Sequence, residues 1–495
     1  MKSKKVVLIQ PRNTLALNIY PPLNLIKIGS VLQAGGFEVK IITCPTIKNY
    51  REVILECCND ALFIGISVLT TEMPDAIMIA SAIKERFSVP IVWGGWHATL
   101  FPEQTAASHL VDHVVVDEGD DWILKIANHY YGSDTGDVLS DILKNEKHLD
   151  LDQLPDPDYS LIPNIEYYMT TLLADKFLEY DDRLIRWLPY EASRGCPSQC
   201  AFCINAVTNN RHYRKKSARK VVDEIDGIVR RHAINHLKIV DDNFFVDVRW
   251  VKEIAQGLID KKLEITWDAE CRVDYFNIAH VNDECLGLCV RSGMNELNFG
   301  IESGSQRSLD IMRKGITPEQ SLNAIRMAAR YNIVSRCSFI VDVPGETEED
   351  IYKTVRLINE IRKVPRTTCG VHSYRPYPRS ELCEGLLRSG AIMQPSSFEG
   401  WAEQKYIEQF AYTEVNRKWQ KNHKISSKIS FYQCLESGFW LRPHQVRNNI
   451  ASMINRCFMN IAKLRNKYTF YRFPIDRYLY IFFKNIYYKL LEGRG

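Results

Sequence analysis

Three cysteines form the densest chemical grouping in the chain: Cys196, Cys200 and Cys203, in the stretch Ser193-Arg194-Gly195-Cys196-Pro197-Ser198-Gln199-Cys200-Ala201-Phe202-Cys203-Ile204-Asn205. Spacings of three and then two residues let three thiolates converge from one loop. A cubane iron–sulfur cluster takes four thiolates. A loop that supplies three leaves one iron open to a small molecule, as catalytic metal sites keep one position free. The same residues admit two plainer readings, a structural zinc site with His212 as fourth ligand, or three packed thiols. The spacing is not the paired C-x2-C arrangement usual for zinc, which points to the cluster first.

Such a loop needs a scaffold, and the 495 residues are enough for more than one core. A composition of 45% hydrophobic and 25% charged residues is that of a globular chain, and a net charge of +3 gives no general argument for nucleic-acid binding. The 14 cysteines are scattered rather than framed as a small disulfide scaffold. The apolar run after Lys4-Lys5 is too short for a secretory signal, and the expected compartment is the reducing cytoplasm. No stretch approaches the roughly 18 uninterrupted apolar residues of a membrane span.

The first segment alternates buried-strand runs with amphipathic helices. Strand-like runs occur at Val6-Val7-Leu8-Ile9, Phe37 to Ile42, Leu62 to Val68, Val89 to Trp93 and Val114-Val115-Val116, and helical spacing follows at Leu23 to Leu32 and Ala76 to Ile83. This alternation predicts a doubly wound parallel sheet, which binds ligands beyond the carboxyl ends of its strands. Ser67, Gly94, Gly95, Glu118 and Gly119 fall there. Taken singly, a Gly-Gly after a strand reads as a tight turn. Proline and acidic punctuation at Leu151 to Tyr159 marks a connection between domains.

A second alternation starts at Trp187 and runs through strands at Leu237 to Val240, Ile265 to Ala269, Glu296 to Glu302, Ser338 to Val341 and Gly370 to Tyr374. Six strand–helix units fit a partial parallel barrel, with reactive groups at the carboxyl ends of the strands. The cysteine loop sits at one such end. At others stand Asp241-Asp242-Asn243, of which one reads as the N-cap of the helix from Val248 onward. Arg272 can pair with a carboxylate bidentately. Glu302, at the end of an apolar strand, needs a partner. Cys285 and Cys289, at helical spacing, are read as packing thiols.

The cysteine loop, with an aromatic residue before its last cysteine, resembles the signature of the radical S-adenosylmethionine (SAM) enzymes. The set Pro22-Leu23-Asn24-Leu25, Gly65-Ile66-Ser67, Trp93-Gly94-Gly95-Trp96 and Asp117-Glu118-Gly119 resembles the cobalamin-binding domain attached to many of them. The resemblance implies a [4Fe–4S] cluster on Cys196, Cys200 and Cys203, and SAM held by Phe202, Asp241, Asp242, Arg272 and Glu302. It implies cobalamin beside Ser67, Gly94, Gly95, Glu118 and Gly119. The Asp-x-His-x-x-Gly element that places a histidine on cobalt in other cobalamin proteins is absent, and His97 and His113 are read as turn or surface residues. Asp342 stands where the family usually has glycine, which puts the local backbone geometry in question.

The expected architecture is therefore α/β: a doubly wound Rossmann-like cobalamin-binding domain (1–135), a linker (136–186), a partial (β/α)6 TIM-like radical SAM barrel (187–385) and a mainly helical C-terminal cap (386–495). The implied reaction is methylation of an unactivated carbon of a small-molecule or lipid-like substrate, with methylcobalamin as methyl donor and an electron donor such as flavodoxin or ferredoxin. Cyclisation or rearrangement without methyl transfer, and a non-catalytic iron–sulfur or zinc protein, are the rival readings. Trp440 to Gly495 is rich in aromatics and cations, among them Arg442, Arg447, Lys463, Lys467, Arg472, Lys484 and Arg494, against Asp476 and Glu492. It reads as a helical cap over the barrel mouth or as a face for peripheral membrane contact.

Overall fold

A computed structural model describes the chain except residues 1–2, 14–19, 44–49, 133–138, 146–147, 171–184, 209–210, 411–418, 437–448 and 493–495. The middle of the expected linker, Trp440, Arg442, Arg447 and Arg494 therefore lie outside the described residues.

The N-terminal strands are β1 (Lys5–Gln10), β2 (Glu38–Thr43), β3 (Phe63–Ser67), β4 (Ile91–Gly94), β5 (His113–Val116) and β6 (Ile142–Lys144), in the sheet order β2-β1-β3-β4-β5-β6. The pairs are parallel, with Val6 to Ile9 facing Val39 to Ile42 on one side and Phe63 to Ile66 on the other. Val6, Val7, Leu8 and Ile9 are all buried, as a parallel strand covered on both faces requires. The chain reverses its direction of winding between β1 and β3. Such switch points open a crevice beyond the strand ends. Helices Leu23–Ala34, Met73–Lys84 and Asp120–Tyr131 cover the sheet. Pro74 sits in the first turn of the second, where its missing N–H costs nothing, and Gly132 closes the third at φ +93°.

The barrel strands are β7 (Trp187–Tyr190), β8 (Ser193–Arg194), β9 (Arg214–Lys215), β10 (His236–Ile239), β11 (Thr266–Cys271), β12 (Met294–Glu302), β13 (Val334–Val341) and β14 (Thr367–Ser373). Their six-stranded sheet has the order β14-β13-β12-β11-β10-β7, the sequential order of a partial (β/α)6 barrel. The short strands β8 and β9 form a separate antiparallel pair, Ser193 opposite Lys215 and Arg194 opposite Arg214. The cysteine loop lies in the connection between them.

By packing, the chain divides into two compact units. The first comprises Met1–Ser198, Cys203–Trp267 and Pro376–Thr413, the second Gln199–Phe202, Asp268–Arg375 and Glu414–Gly495. In the first unit, Phe398 and Trp401 pack into the core of the N-terminal sheet, with the Phe398 ring 5.0 Å from Trp93 and Trp401 beside Phe101. Trp401 Nε1 donates to Gln104 Oε1 at 2.7 Å, and Gln104 Nε2 donates to the Pro395 carbonyl at 3.0 Å. In the second unit, β12, β13 and β14 are parallel neighbours, and capping boxes at Thr317/Gln320 and Thr347/Asp350 start the helices Pro318–Arg330 and Glu348–Ile361. Helices His423–Glu436, Asn449–Lys467 and Ile475–Glu492 complete it.

Candidate functional site

The first unit contains a cavity of about 550 Å3 at the carboxyl ends of its N-terminal strands. Leu8 and Gln10 of β1 and Ile66 and Ser67 of β3 line it, which places it at the switch point of the sheet. All five residues expected beside a corrin, Ser67, Gly94, Gly95, Glu118 and Gly119, line this one cavity. Gly95 has φ +85°, and a Cβ there would lie 2.7 Å from the Val68 nitrogen and 2.8 Å from Ser67 Oγ. Only glycine fits that corner. Ser67 Oγ in turn accepts from Asn24 Nδ2 at 2.7 Å.

Ser193, Arg194, Gly195 and Asp242 line the same cavity, so the start of the cysteine loop borders it. A buried ion network holds them. Lys27 Nζ lies 2.6 Å from Glu191 Oε2, which also accepts from Arg194 Nε at 2.8 Å. Arg194 grips Asp120 with two bonds of 2.8 and 3.2 Å and reaches Glu118 at 3.1 Å. Arg214 pairs with the other Glu118 oxygen. Burial alone would raise Asp120 and Glu191, but the cations beside them outweigh it and hold both carboxyls below their usual range. Burial, reinforced by the charge of Arg194, lowers Lys27. Lys27, Asp120, Glu191 and Arg194 are absent from the sequence-derived site. Glu191 carried the signal used for Glu302, an acid at the end of an apolar strand.

The two adjacent acids separate in role. Asp241 is buried, with Oδ1 accepting from the Ala192 N–H at 2.7 Å and Oδ2 from Ser193 Oγ at 2.5 Å. Burial pushes its pKa up to about 8 despite these bonds. It braces the strand before the cysteines and does not line the cavity. Asp242 does line it, and its Oδ2 accepts from the Gly195 N–H at 3.1 Å. None of Asp241, Asp242 and Asn243 is the N-cap of helix Val248–Asp260; that residue is Asp247, accepting from the Arg249 and Trp250 N–H groups.

On the cysteine loop, Gly195 turns the chain at φ +84°, Cys200 is buried and Cys196 and Cys203 are half-buried. In the first unit Asn243 Nδ2 points at Cys196 Sγ from 3.6 Å. In the second, Arg272 Nη1 points at Cys200 Sγ from 3.7 Å. All three are free cysteines, and hydrogen-bond donors point at two of the sulfurs, as they would at sulfurs that ligate iron. Among the described residues no group of three or more His, Cys, Asp or Glu is arranged to hold a metal ion. The donor set fits the cluster by its chemistry. His212, the fourth ligand of the zinc reading, has its ring 5.3 Å from that of His148.

The remaining expected SAM contacts belong to the second unit. Phe202 lies under Lys314, whose Nζ is 5.8 Å from the ring centroid and 2.8 Å from Glu302 Oε1. Glu302 therefore has the partner its burial demands, and it holds φ +65° beside a register shift in β12. The fork of Arg272 is taken by the chain itself, through Asp274 at 3.0 and 3.2 Å and the Lys314 carbonyl at 2.7 Å. Asp342 adopts φ +63°, the conformation a glycine would supply, and Ser373 and Ser426 donate to its carboxylate. The departure from glycine thus preserves the turn. His97 corrects the reading of a turn or surface residue: it is buried in helix Gly95–Leu100 between Phe101 and Trp401, and burial lowers its pKa to about 3. His113 bonds to Ser140 O and Tyr130 Oη and is structural. Cys285 and Cys289 are buried in one helix, as packing thiols should be.

Residues 190–358 match the radical SAM superfamily, and residues 12–127 match the B12 binding domain. An uncharacterised methyltransferase of Pyrococcus horikoshii is 26% identical over 90% of this chain and 94% of its own length. An anaerobic magnesium-protoporphyrin IX monomethyl ester cyclase of Rubrivivax gelatinosus is 25% identical over 74% of this chain and 66% of its own. Among solved structures, the cobalamin-dependent SAM radical enzyme OxsB, with aqua-cobalamin and SAM bound, superposes with a TM-score of 0.71 over 94% of this chain and 72% of that one. At 17% identity this is a likeness of fold.

Proposed function

This chain is a radical SAM enzyme with a B12-binding domain, and on that premise we propose that it is a C-methyltransferase acting on an unactivated carbon of a small-molecule or lipid-like substrate. Its cofactors are a [4Fe–4S] cluster, SAM and cobalamin. They supply a carbon-centred radical and a transferable methyl group, and the protein supplies position and exclusion of water. The observation that carries the reading is the cavity of the first unit, where the carboxyl ends of β3, β4 and β5 and the start of the cysteine loop line one space.

In this reading Cys196, Cys200 and Cys203 hold the cluster. Ser67, Gly94, Gly95, Glu118 and Gly119 form the corrin edge. Asp242, Phe202, Glu302 and Arg272 serve SAM, Arg272 by orienting a thiolate and Asp274 as much as by meeting a carboxylate. Asp241 acts behind them as a brace. We place the domain limits at 1–135, 136–186, 187–385 and 386–495. Electrons come from a small donor of the flavodoxin or ferredoxin class. Similarity to a cyclase keeps a second outcome in view, the same parts used without methyl transfer. Anaerobic reconstitution with a reductant, SAM and cobalamin tests the reading: 5′-deoxyadenosine forms, and with an accepted substrate the product gains one carbon. No deoxyadenosine would overturn the radical chemistry; deoxyadenosine with a product of unchanged carbon count would favour the cyclase-like outcome.

A further inference from the structure

The last helix of the second unit turns an apolar face outward. In Ile475–Glu492 the exposed residues Ile475, Tyr478, Leu479, Phe482 and Ile486 recur at helical spacing along one side, with Tyr478 68% and Phe482 66% exposed. The opposite side is already filled: Tyr480 is buried, with its ring 5.9 Å from Phe431 and 5.3 Å from Phe458. The outward stripe is therefore additional to the one that docks the helix. Helix Asn449–Lys467 adds exposed Met453, Ile461 and Leu464, and the turn between the helices adds Tyr468, Phe470 and Phe473.

This turn is held in place. Arg465 donates to the carbonyls of Phe470, Arg472 and Phe473 at 3.0, 2.9 and 3.0 Å and pairs with Asp476 through two contacts of 3.0 and 2.5 Å. An ordered backbone thus presents the aromatics. An apolar patch of this extent marks an interaction surface.

The charges beside it indicate what covers it. A cavity of about 850 Å3 lies against the same hairpin, lined by Lys353, Arg356, Lys363, Lys463 and Lys467 together with Glu360 and Glu436. Its acids are engaged, Glu360 by Lys363 and Glu436 by Arg362. Among the described residues no ion pair engages Lys353, Lys463 or Lys467. Lys463 and Lys467 are each adjacent in sequence to an exposed apolar residue, Leu464 and Tyr468. No helix among the described residues is long and apolar enough to cross a membrane. Apolar and aromatic residues with flanking cations, on a helix that does not span, are the features of an element lying in a lipid interface.

We propose that the helical hairpin 449–492 docks on an anionic lipid surface, its apolar stripe entering the acyl boundary and the basic cavity receiving a lipid phosphate. The proposal is independent of the reaction catalysed. It is tested by flotation of the full-length protein with vesicles of phosphatidylglycerol and phosphatidylcholine, and with vesicles of phosphatidylcholine alone. The protein floats with the anionic vesicles at low salt and is released as salt rises. Lys463→Glu with Lys467→Glu weakens anionic binding about tenfold or more, because each basic residue near such a surface contributes on the order of 1 kcal/mol. Tyr478→Glu with Phe482→Glu abolishes binding while thermal unfolding, monitored in parallel, is unchanged. No flotation, or equal flotation with both vesicles, overturns the proposal. So does a dimer in light scattering that Phe482→Glu dissociates, which would assign the face to a second copy.

Discussion

Each cysteine of the loop is expected to be indispensable, because a cluster with an open iron has no thiolate to spare. Cys196→Ala, Cys200→Ala and Cys203→Ala should each reduce 5′-deoxyadenosine formation to background, read by chromatography of anaerobic reactions; retained formation in any of them would remove that residue from the cluster. Asp241 makes a different prediction. Burial raises its folded pKa from the ordinary 3.8 to about 8, so its contribution to stability is fully present below 3.8 and is lost as pH rises through about 8. Asp241→Asn should therefore lose less melting temperature than the parent across that window, and parallel curves would contradict the assignment. At this scale the sequence was informative about residue type and silent about direction. Two neighbouring acids at a strand end are equivalent on paper; in the fold Asp241 accepts from the Ala192 N–H and the Ser193 hydroxyl, and Asp242 faces the cavity. Arg272 is legible as a bidentate cation, but the fold gives its fork to Asp274, two residues on, a local partner that competes with an external carboxylate.

Between elements, the ion network of Lys27, Glu191, Arg194 and Asp120 joins helix Leu23–Ala34 and the start of Asp120–Tyr131 to the strand that leads into the cysteines. Removing one member of a buried network strands the others. Arg194→Ala should cost about 3–5 kcal/mol by leaving Asp120 unpaired and Glu191 with Lys27 alone, measured by urea unfolding of the aerobically purified chain; a loss within about 0.5 kcal/mol would show the network to be dispensable. Gly95→Ala is the complementary test of the cavity floor. With φ +85° and backbone 2.7 Å from the new methyl, it should weaken cobalamin retention, read by absorbance after gel filtration, more than the extended-backbone Gly94→Ala does. Equal retention by both variants would contradict the crowded corner. The strand ends that form this floor were readable because the apolar parallel-strand runs stop at small or polar residues, Ser67, Gly94 and Asp117. The network was not, since Lys27 and Glu191 stand 164 residues apart and nothing local pairs them.

For the molecule as a whole, the two successive runs of parallel strands followed from the alternation of strands and helices, while the place of residues 376–413 did not. Phe398 and Trp401 belong to the core of the N-terminal sheet, a long-range contact that neither residue's neighbours foretell. The C-terminal helices likewise keep an outward apolar stripe that a helical reading of the sequence assigns to burial. Within the first unit, the carboxyl ends of the N-terminal strands and the start of the cysteine loop border one cavity. The measurement that tests this most directly is anaerobic turnover with SAM deuterated at its methyl group, together with cobalamin and candidate acceptors. A product carrying one transferred labelled methyl, formed alongside 5′-deoxyadenosine and lost in Cys200→Ala, is the predicted result. Deoxyadenosine accompanied by an unlabelled, isomeric product would contradict it.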